Sequence, residues 1–495
     1  MKKKFLFCLF DGLRRDLIRP DTMPNLNAFR NSWVDFPNCN SAFPSETRVQ
    51  VSSFVTGAYA GDFQSLFKHG GFGGHGVMAN VFFDPSVNPE KPLDTSDVEG
   101  MKRAAEFYGR IQKAENLGEI MAAANLNYSV LTTGKIGNAA LLNLKANQLD
   151  QKLFSIWGKN ISSTAIDYNG IIREFGPTPK QEFPNNAVTG YATDLLLKHF
   201  LVEPNTDVQV IWYNEPDLSF HYCGVGTPES LSSIKSIDSS FGRILDWWNC
   251  EGRSTGWQII AASDHAQITT IKQINVIKEL QSAGFKAGQG IVRDTDIAVK
   301  RSYSGQITVK DRNPKLTREV LEFLQGQYWC GLTFTRTGDH GALPMACINA
   351  LNERSPDIYY MMRTFDAVNE FGYPGLCFAD NPDIPPGGGI HGGLHKIEMN
   401  NLLILGGDAF HQDMLFDVPA SIVDVLPTML YALDVKIPET VMGRPLKEAF
   451  VGKGVVPFWK ERLLRASRDT YSQEMAVFDV EGRRTPYLRG GRRTG

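Results

Sequence analysis

Carboxylates and imidazoles follow three apolar, strand-like runs of this sequence, each at the point where the run ends. Asp11 follows KKFLFCLF, Asp217 and His221 follow VQVIWYNEP, and Asp264 and His265 follow GWQIIAAS. A carboxylate at the end of a buried strand is unfavourable unless it is paired or bound to a cation. We therefore expect these side chains to gather around metal ions, which is the chemistry of a metal-dependent hydrolase.

Each of these groups is a weak signal when it is taken alone. Asp217 and His221 are four residues apart, so a helix beginning near Pro216 would place both on one face, where they could hold one ion. A helix-capping aspartate and a hydrogen-bonded histidine would explain the same pair. Asp264 and His265 are adjacent and converge only if the strand has already ended in a loop. The three strand ends together favour a metal site.

Further histidines offer alternative ligands. The late segment GGGIHGGLH contains His391 and His395, and glycines on both sides of His391 allow a close approach of the backbone, so we prefer His391. The segment GDHG contributes Asp339 and His340, but polar residues precede this pair and it lies in a less regular part of the chain. We do not expect Asp339 and His340 to bind metal.

The segment FPSETRVQVSSFVTG (43–57) supplies a candidate nucleophile, Thr47. A hydroxyl attacks phosphorus poorly at neutral pH unless a metal lowers its pKa. Thr47 stands just before a predicted helix over 49–57, whose free N–H groups could receive a phosphoryl oxygen. Two alternatives stay open: Ser45 or Thr47 caps that helix, and Arg48 either contacts an anionic substrate or is solvated.

The order of predicted elements indicates how these groups are positioned. Apolar strands alternate with helices over the first half of the 495 residues, and another core-like strand, NNLLILGG, follows at 400–407. Continuously apolar strands separated by helices predict a largely parallel sheet covered by helices on both faces. In such sheets, sites form beyond the carboxyl ends of the strands, where the three groups lie. The fold class is therefore α/β.

The segment 276–385 breaks this pattern with short helices, short strands and turns. We predict a discontinuous catalytic core over 1–275 and 386–460, interrupted by an inserted α+β cap over 276–385. A C-terminal extension over 461–495 follows. Its last part, 483–495, is rich in arginine and glycine, and we predict a mobile tail there.

Composition narrows the partners and the compartment. The net charge of −3 gives no general attraction to nucleic acid or to acidic membranes. The N-terminal apolar stretch, FLFCLF, runs straight into Asp-Gly, so we interpret it as the first core strand rather than a secretion signal. The seven cysteines are scattered and lack CxxC spacing, which is typical of reduced thiols. We predict a cytoplasmic protein with a small phosphorylated substrate and without a nucleic-acid or membrane partner.

Spaced segments of the sequence resemble a known family. FDGLRRD, MPNL, FPSETRVQVSSFVTG, HGVMANVFFDP, NEPDLSFH, SDHA, GIHGG and DVLPTMLYALDV…GRPL recur in the order found in the nucleotide pyrophosphatase/phosphodiesterase branch of the alkaline phosphatase superfamily. They cover most of 4–275 and 386–446. The chain departs from the pattern at Ala266, where the family usually has glycine, and in the stretch 61–73, which is longer than usual.

The resemblance implies an alkaline-phosphatase-like core with two metal ions and assigns their ligands position by position. One metal would be held by Asp11, Asp264 and His265 with Thr47 alongside, and the other by Asp217, His221 and His391. Asn80 matches the asparagine that supports a phosphoryl oxygen. A set of three aspartates and three histidines without thiolates favours zinc, with manganese as the alternative.

We therefore predict metal-dependent hydrolysis of phosphate esters through a covalent phospho-threonine on Thr47. Two alternatives remain. One is hydrolysis of a carbon–phosphorus bond, as in phosphonoacetate hydrolases, which share the PS-x-T pattern of residues 44–47. The other is a non-catalytic protein that uses the metals to bind phosphorylated ligands.

Overall fold

The structure is a computed structural model that describes residues 2–63, 72–452 and 454–495. Most of the long stretch 61–73 therefore lies outside the described residues. In chain order, the strands are β1 Lys4–Phe10, β2 Val34–Asp35, β3 Cys39–Asn40, β4 Val81–Phe82, β5 Leu93–Asp94, β6 Tyr128–Thr132, β7 Lys152–Ser155, β8 Val208–Tyr213, β9 Trp257–Ala262, β10 Ile268–Gln273, β11 Ala287–Gly288, β12 Ile297–Lys300, β13 Ser304–Val309, β14 Cys330–Thr335, β15 Leu343–Pro344, β16 Ile358–Met362, β17 Thr364–Val368, β18 Pro374–Ala379, β19 Gly389–Ile390, β20 Leu403–Gly406, β21 Met414–Leu415, β22 Ala420–Ser421, β23 Trp459–Arg468, β24 Tyr471–Val480 and β25 Tyr487–Arg493. The α-helices are α1 Pro24–Ser32, α2 Thr47–Thr56, α3 Val98–Tyr108, α4 Leu117–Ala123, α5 Ile136–Leu142, α6 Tyr168–Phe175, α7 Asn186–Leu195, α8 Asp217–Cys223, α9 Pro228–Trp247, α10 Val276–Ser282, α11 Pro314–Gln325, α12 Lys396–Met399 and α13 Val425–Ala432.

The main sheet is largely parallel. Within the described residues its order is β21-β2-β20-β9-β1-β8-β6-β7. The central strand β1 runs parallel to β8 on one side and to β9 on the other, and β6 and β7 continue the parallel arrangement. Beyond β9, strand β20 is antiparallel. The predicted α/β class with a largely parallel sheet is confirmed.

Both faces of this sheet are buried, as the continuously apolar strands predict. In β1, Phe5, Phe7 and Leu9 point into one apolar core and Leu6, Cys8 and Phe10 point into the other. Helices α2, α4, α5 and α13 cover the first face, and α1, α7 and α9 cover the second. Because side chains alternate along a strand, a strand buried on both faces has no polar face and must be apolar throughout.

A second sheet arises from the segment predicted to be inserted. Its order is β11-β12-β13-β16-β14-β15, with helices α10 and α11 packed on it around a separate apolar cluster. Strand β18 pairs with β10, which in turn pairs with β19, so a smaller sheet joins both sides of the predicted boundaries at 275 and 386. The α+β character of this segment agrees with the sequence, and the domain limits stay a prediction.

The C-terminal residues form a sheet rather than a tail. Strands β23, β24 and β25 pair antiparallel, and Tyr487 and Leu488 of β25 are buried. The arginines of this segment bind backbone carbonyls: Arg493 donates to Gln327 O at 2.7 Å and to Cys330 O at 3.1 Å. The prediction of a mobile tail over 483–495 is therefore wrong, because arginine-rich composition was read as solvated surface.

The turn after β1 brings the ends of neighbouring strands into contact. Gly12 has a positive φ of 73°, and its N–H donates to Asp264 Oδ1 at 3.1 Å. The N–H of Asp217 donates to Asp11 O at 2.9 Å. A Cβ on Gly12 would lie 2.9 Å from the Cα of Asp217, closer than real side chains come. Only glycine fits this position.

None of the described helices is both long and apolar enough to span a membrane.

Replacing Gly12 with alanine should destabilise the fold by two separable effects. The positive φ costs a non-glycine residue about 1–3 kcal/mol, and the clash with Asp217 adds to it. Gly109→Ala is the matched control, because Gly109 has a φ of 79° and open space around its Cβ position. Urea unfolding should show a larger loss for Gly12→Ala than for Gly109→Ala. Equal losses would contradict the close approach.

Candidate active site

The candidate ligands lie together at one edge of the main sheet. Strands β9, β1 and β8 are neighbours and run in the same direction, so their carboxyl ends share that edge. Asp11 follows β1, and Asp264 follows β9. Asp217 follows β8 and is the first residue of α8. The strand order therefore converts three separated sequence segments into one site.

The first cluster consists of Asp11, Asp264 and His265. The Nε2 of His265 lies 3.4 Å from Asp11 Oδ1 and 3.3 Å from Asp264 Oδ2. All three side chains are almost completely buried. Their ligand atoms lie close enough together for one ion to contact all of them.

The second cluster consists of Asp217, His221 and His391. Asp217 Oδ1 lies 3.2 Å from His221 Nε2 and 3.3 Å from His391 Nε2. Asp217 and His221 are on one face of α8, as their spacing predicts. His391 comes from the glycine-rich loop after β19, where Gly392 has a φ of 117°. A second ion could contact all three of these ligands.

The two clusters adjoin each other through their histidines. The rings of His265 and His391 stack with centroids 3.6 Å apart, and those of His221 and His391 are 5.1 Å apart. His391 therefore lies between the first cluster and the remaining ligands of the second. The arrangement suits a dinuclear centre, in which one histidine stands between two ion positions.

Backbone carbonyls orient the imidazole rings. The Nδ1 atoms of His221 and His391 lie 2.7 Å from Gly389 O and from Ser45 O, respectively. A carbonyl only accepts, so Nδ1 carries the proton in both rings and Nε2 keeps its lone pair for a metal. This carbonyl contact to the second nitrogen is the usual support of a metal-binding histidine.

The two clusters differ in electrostatics. Burial raises the pKa of Asp264 to about 8, and burial together with the charges of Asp264 and Asp217 raises the pKa of Asp11 well above the usual range. Burial alone would also raise the pKa of Asp217, but His221 and His391 hold it well below the usual range. Burial lowers the pKa of His265, so this imidazole is neutral. The charged forms of Asp11 and Asp264 are thus unfavourable unless a positive charge is supplied, because no residue of the first cluster balances them.

Unshared carboxylate oxygens show that these residues fit a cation. Asp11 Oδ1 and Asp264 Oδ2 are buried, and no hydrogen bond reaches either of them within the described part of the chain. The other oxygens are satisfied: Trp212 Nε1 donates to Asp11 Oδ2 at 3.0 Å, and the N–H of Gly12 donates to Asp264 Oδ1. The unsatisfied atoms are those that face His265 Nε2. Buried polar groups without partners are rare in folded proteins, and a cation would satisfy both of these at once.

Thr47 lies beside the first cluster at the start of α2. Its Oγ1 is 3.2 Å from His265 Nε2, and the residue is 6% exposed. The helix N-cap is Glu46, without a side-chain capping bond, so the interpretation of Ser45 or Thr47 as a helix cap is wrong. Ser45 Oγ instead donates to Glu398 Oε1 at 2.9 Å. Thr47 is free to face the metal ligands.

Asn80 and Arg48 lie next to Thr47. The N–H of Arg48 donates to Asn80 Oδ1 at 2.9 Å, and the guanidinium of Arg48 contacts Asn80 O at 3.2 Å and Asp94 at 3.4 Å. Arg48 is therefore buried and paired rather than solvated. With Oδ1 occupied, Asn80 Nδ2 is the part of this amide that can donate to a ligand.

The alternative ligands lie elsewhere. His395 Nε2 is 3.4 Å from Asp366, and its Nδ1 accepts the N–H of Ile397 at the start of α12. Asp339 and His340 are exposed and belong to neither cluster. The preference for His391 over His395 agrees with the geometry, and so does the rejection of the GDHG pair.

Sequence reasoning missed several supporting residues. Gln267 Nε2 donates to Asp217 Oδ1 at 2.6 Å, and Trp212 holds Asp11 from the neighbouring strand. Gln267 lies two residues after His265 and could have been suspected from that position. Trp212 stands among other apolar residues of β8, so nothing in the sequence distinguishes it from an ordinary core residue.

Comparisons with known proteins agree with this geometry. The sequence matches the family described as type I phosphodiesterase / nucleotide pyrophosphatase over residues 6–363. His391 lies beyond the matched range, so its position beside Asp217 is a finding of the structure. A search of curated protein sequences found no match.

Solved structures share the fold. An inactive form of murine ectonucleotide pyrophosphatase/phosphodiesterase 5 in complex with AMP is 16% identical, with 88% of this chain and 96% of that chain covered and a TM-score of 0.61. The human protein of the same name is also 16% identical, with 91% and 100% covered and a TM-score of 0.61. At these identities the likeness concerns the fold alone. Because the family match spans well over half of the sequence, the chain belongs to the type I phosphodiesterase / nucleotide pyrophosphatase family and is a phosphoric ester hydrolase.

Proposed function

We propose that this protein hydrolyses small phosphate diesters through a covalent phosphoryl intermediate on Thr47, at a centre that holds two divalent metal ions. The observation that carries the proposal is the position of Thr47 Oγ1, 3.2 Å from His265 Nε2 and next to carboxylate oxygens that lack partners. The AMP bound to the murine relative supports a small phosphorylated ligand. The cytoplasmic location stays a prediction.

The donor set supports two metal ions, and members of the family typically depend on two. Asp11, Asp264 and His265 would hold one ion, with Thr47 alongside, and Asp217, His221 and His391 would hold the other. We propose zinc, with manganese as the alternative, because imidazole and carboxylate ligands without thiolate suit both. When bound, such ions lower the pKa of a coordinated hydroxyl and stabilise the charge of the phosphoryl group.

The residues of the chain then divide the reaction into two displacements. Thr47 Oγ1 gives its proton to solvent and attacks phosphorus, a new O–P bond forms, and the bond from phosphorus to the departing oxygen breaks. The departing oxygen takes up a proton from solvent and leaves as an alcohol. The backbone N–H of Thr47, at the start of α2, and the Nδ2 of Asn80 can donate to the phosphoryl oxygens as their charge grows. A water molecule next attacks phosphorus, the bond to Thr47 Oγ1 breaks, and the hydroxyl regains its proton.

Replacing Thr47 with alanine should reduce kcat by more than about 10³-fold, because the attacking atom is removed. The metal ligands remain, so metal content should stay at two ions per chain. Release of p-nitrophenol from bis(p-nitrophenyl) phosphate measures the rate. Thr56→Ala is the control on the same helix, where the bond to Ser52 O at 2.6 Å and the bond from the N–H of Ala58 at 3.3 Å are lost. Turnover by Thr47→Ala close to that of the unchanged protein would end the assignment.

Removing the metal should abolish turnover and lower the unfolding temperature. Without a cation the charged forms of Asp11 and Asp264 are unfavourable, and the stabilisation that metal binding adds to the folded state is lost. Elemental analysis should find two ions per chain in the native protein and fewer in His391→Ala. His395→Ala, on the same loop, should keep both. Native protein without stoichiometric transition metal would refute the dinuclear site.

Rates on a panel of esters should identify the substrate class. We expect diesters to be hydrolysed faster than monoesters, and both faster than sulfate esters, on metal-replete enzyme. Release of phosphate from phosphonoacetate at a higher rate than from any ester would favour carbon–phosphorus hydrolysis instead. Bound metal without turnover of any compound would identify a binding protein.

A further inference from the structure

A buried carboxylate stands next to the proposed nucleophile. Glu46, the residue before Thr47, is 3% exposed, and its carboxylate belongs to neither metal cluster. Its Oε2 accepts the backbone N–H of Asn80 in a short hydrogen bond. Its Oε1 accepts Lys300 Nζ at 2.6 Å and lies 3.4 Å from Ser304 Oγ. The side-chain hydrogen bonds of Glu46 therefore connect the residue before Thr47 to Asn80 and to the second sheet.

The charge of Glu46 would oppose the proposed reaction if it were left alone. A phosphate ester is anionic, and its attack by an alkoxide concentrates more negative charge near the start of α2. Two like charges a few ångströms apart in a poorly solvated site repel each other strongly. Lys300 offsets this repulsion, because its ammonium forms an ion pair with the Glu46 carboxylate and both side chains are almost fully buried. The pKa of Glu46 is accordingly below its usual range, since the pairing with Lys300 outweighs burial.

Lys300 reaches the site from outside the main sheet. It is the last residue of β12, within the segment predicted to be inserted, whereas Glu46 belongs to the predicted core. The next residue, Arg301, pairs instead with the buried Asp380 at 2.7 Å. These two adjacent cations thus serve different sites: Lys300 contacts the segment that carries Thr47, and Arg301 pairs with Asp380, which directly follows β18 of the smaller sheet.

The pair also fixes Asn80. The backbone N–H of Asn80 is bound by Glu46, and its side-chain Oδ1 is bound by the N–H of Arg48. With both contacts in place, Asn80 Nδ2 keeps one direction relative to Thr47. If Glu46 turned away, Asn80 would lose the partner of its backbone N–H and would be held through its carbonyl, by Thr95 and Arg48, and through Oδ1, so Nδ2 would be less firmly positioned.

We propose that Lys300 is a positioning residue for phosphoryl transfer: it neutralises Glu46 and holds the Glu46 carboxylate on Asn80, so that the segment carrying Thr47 presents donors and no net negative charge to the substrate. This inference rests on the proposed function of Thr47 and goes beyond it, since it assigns a role at the site to a residue of the second sheet. Lys300 is not required to contact substrate or metal.

A charge-balance experiment tests the role of Lys300. Lys300→Met should lower kcat for bis(p-nitrophenyl) phosphate roughly 100-fold, with little change in KM, because the unpaired carboxylate opposes the charge that grows in the transition state. Adding Glu46→Gln to Lys300→Met should raise kcat at least about tenfold above that of Lys300→Met alone. The neutral amide no longer repels the substrate and still accepts the N–H of Asn80. Lys300→Arg should keep most of the activity. Metal content should remain two ions in all three variants.

Arg301→Met is the matched control, because it breaks a buried ion pair at the same strand end. It should lower the unfolding temperature as Lys300→Met does and leave kcat close to that of the unchanged protein. If Lys300→Met fails to fold, Lys300→Gln replaces it. A kcat unaffected by loss of Lys300 would overturn the proposal, and so would a double variant no faster than Lys300→Met.

Binding of inorganic phosphate separates failure of this inference from failure of the proposed function. Calorimetry on the metal-loaded protein should show weaker phosphate binding in Lys300→Met and recovery in the double variant. If the unchanged protein hydrolyses no ester, the proposed function fails, while this binding pattern still supports the charge balance. If esters are hydrolysed but phosphate affinity and kcat are the same in Lys300→Met as in the unchanged protein, only the inference about Lys300 fails.

Discussion

Three aspartates buried at the ends of adjacent parallel strands impose the constraint on which this site depends. Asp11, Asp217 and Asp264 are brought together by the strand order, and their mutual repulsion and burial are unfavourable unless positive charge is supplied. Hydrogen bonds from Trp212, Gln267 and the backbone satisfy some of the carboxylate oxygens. The remaining oxygens point towards His265. The protein thus leaves unsatisfied only those atoms that a cation would use.

The two halves of the site are not equivalent. Asp217 is held in its charged form by two histidines, whereas Asp11 and Asp264 have only the neutral His265 beside them. The Thr47 hydroxyl lies beside the first cluster, Asp11, Asp264 and His265. There no positively charged residue of the cluster balances the carboxylates, and a cation would be held by two of them. In the proposed reaction, this asymmetry would place the hydroxyl beside one ion position and leave the other for the departing oxygen.

The sequence predicted the main sheet and the carboxylates at its edge from local rules, whereas the division of the ligands into two clusters came from the family resemblance. Apolar runs identify buried strands, and polar residues at their ends identify the edge where parallel strands finish, so Asp11, Asp217 and Asp264 could be found without coordinates. The pairing of Lys300 with Glu46 could not, because it joins residues 254 positions apart and neither stands out among ordinary surface charges. The sheet over 459–493 was missed for a related reason: β25 contains few apolar residues, and Arg493 is satisfied by the carbonyls of Gln327 and Cys330, which are distant in the sequence.

His391 stacks against His265 although 126 positions separate them in the sequence. The second cluster is complete only with His391, which comes from the last quarter of the chain. During synthesis, the first three strand ends leave the ribosome long before it does. A nascent polypeptide therefore carries the first ligand cluster and only part of the second, so the proposed two-metal catalysis would begin only when nearly the entire molecule has been made and folded.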